Sequence, residues 1–270
     1  MSAPLPIRPL PTRPLPTRYV FVGGLHRSGT SLLARCLEVH PDIRGLSHAP
    51  VPEGEGAYLQ GAIPHTARHG VPGAFAEDDA QHHVEGGPYD RLEVRDRLRS
   101  DWEPWFAPGG RWRVEKSPVN LLRPRLYQAL FPASQFVFAV RHPVASARAT
   151  AKWSDRGEAA LLAHWEAAHR RLAGDLPHLH AWIVVRLEDL ARDPSGETVR
   201  LFAFLGLDPA PPPRAVEPAP NAAYWAEGPP AAPLGPMAEA LGYEADRPMP
   251  RRSSRLRGAH PLREAREAVA

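Results

Sequence analysis

Cysteine is nearly absent: Cys36 is the only one in 270 residues. One thiol closes no intramolecular disulfide and builds no multi-cysteine zinc site, so the chain makes no demand for an oxidising compartment. Cys36 falls on the apolar side of a helical spacing and reads as a small buried hydrophobe rather than a nucleophile. Long hydrophobic runs are missing as well. No stretch of 18 apolar residues occurs and the N-terminus shows no apolar leader, which predicts no membrane span and a cytoplasmic protein. His65, His69, His82 and His83 catch the eye, but no helix-spaced pair with a nearby acid stands among them, so no metal site is expected. Positive charge is not gathered into one stripe either, and no nucleic-acid motif appears. A noncatalytic anion or nucleic-acid binding module is therefore a minor alternative, and nucleic acid is not an expected partner.

What the chain does have is proline, 33 of them beside 21 glycines, together with 43% hydrophobic residues. That balance supports one substantial core with long loops, and a single α/β domain rather than two. Arginine far outnumbers lysine among the 33 basic residues, the net charge is +3, and arginine is the better fork for anions. Residues 1–18 repeat Arg-Pro-Leu-Pro and read as an extended, disordered arm. Residues 19–207 carry the strand and helix patterns. Within them, residues 61–110 are poorly patterned and read as a loop-rich cover over a substrate site, with a charged helix near Arg91 to Arg99. Residues 208–270 read as a loop-rich C-terminal segment with a basic, solvated patch from Arg251 to Gly258.

The pattern organises around one stretch. Tyr19-Val20-Phe21-Val22 is an apolar strand, Gly23-Gly24 breaks it, and Leu32, Leu33, Cys36 and Leu37 take the spacing of one helical face. A glycine-containing turn between strand and helix offers backbone amides and a helix N-terminus to an anion. Gly24 to Gly29 has the gap of a nucleotide-binding P-loop, yet Thr30 stands where that motif puts its Lys. Arg27, with Ser28, Thr30 and Ser31, offers instead a fork and hydroxyls to one tetrahedral anion. Downstream, Trp112 and Val114 alternate with Arg111, Arg113 and Glu115 in a strand that ends on Lys116. Gln135 to Val140 is a continuous apolar run of the kind buried in a parallel sheet, followed by Arg141. Glu158 to Ala173 is an amphipathic helix, Trp182 to Leu187 a further buried strand, and Ala191 to Leu205 a helix capped by Gly206.

Gly24-Leu25-His26-Arg27-Ser28-Gly29-Thr30-Ser31-Leu32-Leu33, Glu115-Lys116-Ser117-Pro118-Val119-Asn120, and Phe131-Pro132 through Arg141-His142-Pro143 together resemble the sulfotransferases that use 3′-phosphoadenosine 5′-phosphosulfate. The likeness is to a bacterial branch related to the tyrosylprotein and carbohydrate enzymes. It implies a P-loop-like, three-layer α/β/α fold with a central parallel sheet. It also implies an enzyme of the EC 2.8.2 type, which moves a sulfuryl group to an acceptor hydroxyl of a sugar, tyrosine, lipid or small molecule. Adenosine 3′,5′-bisphosphate would leave, and no metal is required. By the same resemblance, Gly24, His26, Arg27, Ser28, Gly29, Thr30 and Ser31 hold the 5′-phosphosulfate, and Lys116 lies against the transferring sulfate. Arg141 takes the 3′-phosphate. The family's second ligand there is a Ser eight positions on, which here is Ala149, so Thr150 is the preferred substitute and Ser146 the other choice. A small-metabolite kinase is the competing enzyme, distinguished by a need for magnesium and ATP.

The general base is expected on the loop after the first helix. Glu55 is favoured because Gly54 and Gly56 let its backbone approach the site, whereas Pro52 fixes the chain before Glu53. His48 is the second candidate: it occupies the position of a Glu in the tyrosylprotein enzymes, and imidazole needs no tuning to act as a base.

Overall fold

The protein was analysed as a computed structural model, which describes residues 17–211, 221–250, 253–261 and 263–264. The arm expected over residues 1–18 lies up to residue 16 outside the described residues, as do Arg251 and Arg252 of the basic patch. In chain order the elements are β1 (Arg18–Gly24), α1 (Thr30–Glu38), β2 (Ile43–Gly45), α2 (Leu92–Trp102), β3 (Trp112–Lys116) and α3 (Pro124–Leu130). They continue with β4 (Gln135–Val140), α4 (Pro143–Ala151), α5 (Glu158–Asp175), β5 (Trp182–Arg186), α6 (Leu187–Arg192) and α7 (Pro194–Leu205). Short pieces close the chain: α8 (Asn221–Trp225), α9 (Pro236–Ala240) and β6 (Gly258–Ala259).

Among these, β1 to β5 form a parallel sheet in the order β2-β3-β1-β4-β5, with β6 added antiparallel at the edge. Each strand is long enough to present alternate side chains to both faces, and both faces are covered. Tyr19 and Phe21 of β1 pack with Phe136, Trp102, Tyr127 and Trp165 on one side. Val20 and Val22 pack with Leu33, Leu37, Phe202 and Leu205 on the other. That arrangement is three layers, helix on sheet on helix. Each large side chain fully withdrawn from water contributes about 1.5–3 kcal/mol to it. Cys36 is fully buried in the second cluster, where burial pushes its thiol up to about 11.

Strand register decides which side chains meet at the sheet's edge. Val22 pairs with Lys116 and Gly24 with Ala139, so the carboxyl ends of β3, β1 and β4 finish side by side. The turn after β1, Lys116 and Arg141 are thereby gathered at one edge of the sheet, where open α/β sheets carry their ligands.

The structure differs from the sequence reading where proline or distant contacts decide. Pro124 opens α3 at its first position, after a 3₁₀ turn over Pro118–Leu122, because a residue without N–H costs nothing there. Likewise the helix expected from Ala191 is two: α6 ends at Arg192, and Pro194 starts α7, whose Gly196 N donates to the Asp193 side chain at 2.8 Å. Residues 208–270, read as loop, contain α8, α9 and β6. Among the described residues no helix is long and apolar enough to cross a membrane.

Candidate active site

The turn after β1 is shaped by close approach. A Cβ on Gly24 would stand 2.5 Å from the Ala139 carbonyl oxygen, and Gly29, at φ +98°, would bring one within 2.8 Å of Leu187 Cδ1. Only glycine fits either place at no cost. Arg27 also takes a positive φ, +65°, which turns the chain so that α1 begins at Thr30 with its first amides free. His26, Arg27, Thr30 and Ser31 line a cavity of about 460 Å³ together with Glu55 and Arg141. Ser28 sits differently. It is buried, and its Oγ donates to Leu25 O at 2.6 Å, so it ties the turn together beneath the cavity.

Arg141 closes the other end of that cavity. It is 4% exposed; Nε donates to Asn221 Oδ1 at 2.9 Å and Nη1 to the Arg27 carbonyl at 3.2 Å, with the Tyr224 ring 5.3 Å away. Its Nη2 is buried with no partner among the described residues, and burial holds the guanidinium below its ordinary pKa. A buried cation with an unused donor is costly until an anion reaches it. Ser146 and Thr150 are not brought to it. Both lie on the face of α4 that lines a separate small cavity with His26 and His164, while Ala145 and Ala149 face Tyr224. Residues four apart on a helix share a face, and neither Ser146 nor Thr150 lines the cavity that Arg141 lines.

The acids sit on the loop between β2 and α2. Glu55 is 9% exposed on the cavity wall, and burial, opposed by nearby Lys116, pushes its carboxyl up to about 7. Lys116 Nζ donates to the Glu53 carbonyl at 2.7 Å and lies 3.7 Å from Glu55 Oε1. The Glu53 side chain is exposed and its backbone strained at φ +52°. Below Glu55 the chain is pinned. Gly56 rests on Glu115, where a Cβ would stand 2.7 Å from Cγ, its carbonyl accepts from Trp102 Nε1 at 2.8 Å, and the next amide, of Ala57, donates to Ser117 Oγ at 3.0 Å. Glu115 is fully buried, accepting from Ser117 Oγ at 2.6 Å and Asn120 Nδ2 at 2.5 Å. His48 is exposed at φ +55° and does not line the cavity. His26 does, and burial beside Lys116 drops its imidazole to about 4, which leaves it neutral. His26 and Glu55 also form the wall of a collapsed slot behind the cavity, with Tyr58, His65 and Phe75.

Three residues of these surroundings went unread in the sequence: Asn221, Tyr224 and Trp153. Trp153, 56% exposed, lies 4.8 Å from the Arg27 guanidinium and lines the cavity with Tyr224. Glu188, in the first turn of α6, is fully buried. Among the described residues no group of three or more potential ligands is arranged to hold a metal ion.

A parallel α/β sheet whose central strand runs through a glycine-bearing turn into a helix, with Arg141 at the end of the neighbouring strand, defines a P-loop-like fold. The chain belongs to the sulfotransferase family, whose model matches residues 19–211. No curated protein matches the chain. Among solved structures it is similar to a sulfotransferase from Alicyclobacillus acidocaldarius (19% identity, 79% of this chain and 91% of that one, TM-score 0.46). It is also similar to the sulfotransferase domain of the Synechococcus PCC 7002 olefin synthase (19%, 73% and 76%, 0.44). A third is the sulfotransferase STF1 of Mycobacterium tuberculosis H37Rv (22%, 72% and 68%, 0.43).

Proposed function

We propose that the protein transfers a sulfuryl group from 3′-phosphoadenosine 5′-phosphosulfate to an acceptor hydroxyl of a sugar, tyrosine, lipid or small molecule. The observation that carries this reading is that two anion-holding points, the turn before α1 and the half-satisfied Arg141, face one cavity whose wall is a carboxyl near neutrality. The residues present fit such a donor: Arg27, Gly29, Thr30 and Ser31 for its 5′ end, Arg141 for its 3′-phosphate, and the faces of Trp153 and Tyr224 for its base. When bound, the donor supplies the sulfuryl group: the acceptor oxygen bonds to sulfur as the bond to the phosphate oxygen breaks, and adenosine 3′,5′-bisphosphate departs with the electron pair.

The chain's own part is protons and charge. Glu55 receives the proton of the acceptor hydroxyl, a task matched to a carboxyl tuned near the working pH. Lys116, once released from the Glu53 carbonyl, supplies positive charge where negative charge grows. Two results test this. Adenosine 3′,5′-bisphosphate at a hundred times its dissociation constant should stabilise the protein by about 2.7 kcal/mol in thermal unfolding, with ATP doing less at the same concentration. Equal stabilisation by the two would count against the donor assignment.

The second result is a pH profile. The working form of Glu55 is the carboxylate, and its pKa is raised, so turnover should climb as pH rises through about 7 and level off above it. Stopped assays from pH 5 to 9 read this directly. A flat profile across that interval would remove Glu55 from the role.

A further inference from the structure

Glu188 is a fully buried acid outside the residues of the proposed mechanism, and both its oxygens are bonded. Its Oε1 accepts from His142 N at 2.9 Å and Asn221 Nδ2 at 2.6 Å, and its Oε2 from the Tyr243 hydroxyl at 2.9 Å. Asn221, 1% exposed, spends the rest of its amide nitrogen on the Pro248 carbonyl at 3.0 Å. Both partners of that nitrogen are pure acceptors here, so the amide has only one sensible orientation, and its oxygen must turn to Arg141 Nε, 2.9 Å away. Nε and Nη1 of Arg141 are thus engaged, by Asn221 and the Arg27 carbonyl, and Nη2 is left over. Glu188 also fixes the amide that follows Arg141, at the start of α4.

We propose that Asn221, oriented by Glu188, is a positioning residue that sets the plane of the Arg141 guanidinium for a 3′-phosphate and so makes the site selective for 3′-phosphorylated adenosine. The proposal rests on the reading of Arg141 as the ligand of that phosphate. Asn221 does not line the cavity, so it acts through Arg141 and not on the nucleotide. With Nε and Nη1 engaged, Nη2 is the nitrogen left for the phosphate, and its reach depends on the guanidinium plane being held before the ligand arrives. Asn221 and Arg27 hold it from two edges. The segment bearing Asn221 has its own second anchor, because Arg148 donates to the carbonyls of Tyr224, Gly228 and Pro229. Removing the Asn221 side chain therefore leaves α8 seated.

The test is calorimetric titration of the wild type, Asn221→Ala, Asn221→Asp and Arg141→Ala with adenosine 3′,5′-bisphosphate and with adenosine 5′-monophosphate. The ratio of the two affinities measures the 3′-phosphate alone. Losing one hydrogen bond to a charged group should reduce that ratio about 10-fold in Asn221→Ala, with the monophosphate bound as before. Asn221→Asp should reduce it at least as far, because it sets an oxygen against the Glu188 carboxylate and the Pro248 carbonyl and so breaks the arrangement that aims an oxygen at Arg141. A ratio unchanged in Asn221→Ala, or equal weakening of both ligands, overturns the positioning role while leaving the donor reading intact. A wild type with no preference for the bisphosphate, or an Arg141→Ala variant that keeps it, overturns the donor reading at Arg141 and this inference with it.

Discussion

Glu55→Gln is expected to lower turnover by roughly 10²–10⁴-fold while adenosine 3′,5′-bisphosphate binds with unchanged affinity. The amide keeps the size and most of the contacts of the carboxyl but accepts no proton. The site is built to make that difference felt. Glu55 stands on the wall shared by the large cavity and the slot behind it, with a backbone held by Glu115, Ser117 and Trp102 through Gly56 and Ala57. His48→Gln should be close to neutral, since His48 is exposed and away from the cavity. Glu53→Gln should also be mild: Glu53 lines the cavity, but the bond it makes to Lys116 is through its backbone carbonyl, which a glutamine retains. Turnover of the three variants, with bisphosphate affinity measured alongside, decides among them. If Glu55→Gln turns over normally and His48→Gln does not, the role passes to His48.

Much of this site could be read from local spacing. The strand, turn and helix from Tyr19 to Leu37 are contiguous, and their apolar periods and glycines report directly on a backbone that needs them. The apolar run before Arg141 announces a strand covered on both faces, and β4 is one. Failure came where a residue's neighbours are far along the chain. Glu115 alternates with the apolar Trp112 and Val114 in the sequence; β3 lies between β2 and β1 with both faces covered, so its side chain is fully buried and serves as the floor under Gly56. Asn221 lies 80 residues from Arg141, in a stretch without period or motif, and nothing local marks it. Preferring Thr150 as the hydroxyl partner of Arg141 assumes a small helical offset. The phase of α4 is set where Pro143 opens it, and that phase turns Ala149 toward Tyr224 and Thr150 away.

Lys116→Ala should be nearly as damaging as the loss of Glu55, with turnover down on the order of 100-fold or more. Two effects share that number, and pH separates them. Lys116 is the main influence that holds the Glu55 carboxyl down against burial, so removing it drives the pKa of Glu55 above about 7 and shifts the acidic limb of the profile upward. This portion of the loss is recovered when the assay is run well above the shifted limb, where Glu55 is ionised again. The portion that persists there measures the positive charge missing from the transition state. Arg27→Ala gives the contrast. Arg27 is exposed and stacked against Trp153, and in the proposed mechanism it binds the ground-state anion, so its loss should weaken bisphosphate binding more than it slows turnover at saturation. If Lys116→Ala regains wild-type turnover at high pH, Lys116 does no more than keep the base ionised, and the charge that meets the departing oxygen must come from the turn before α1.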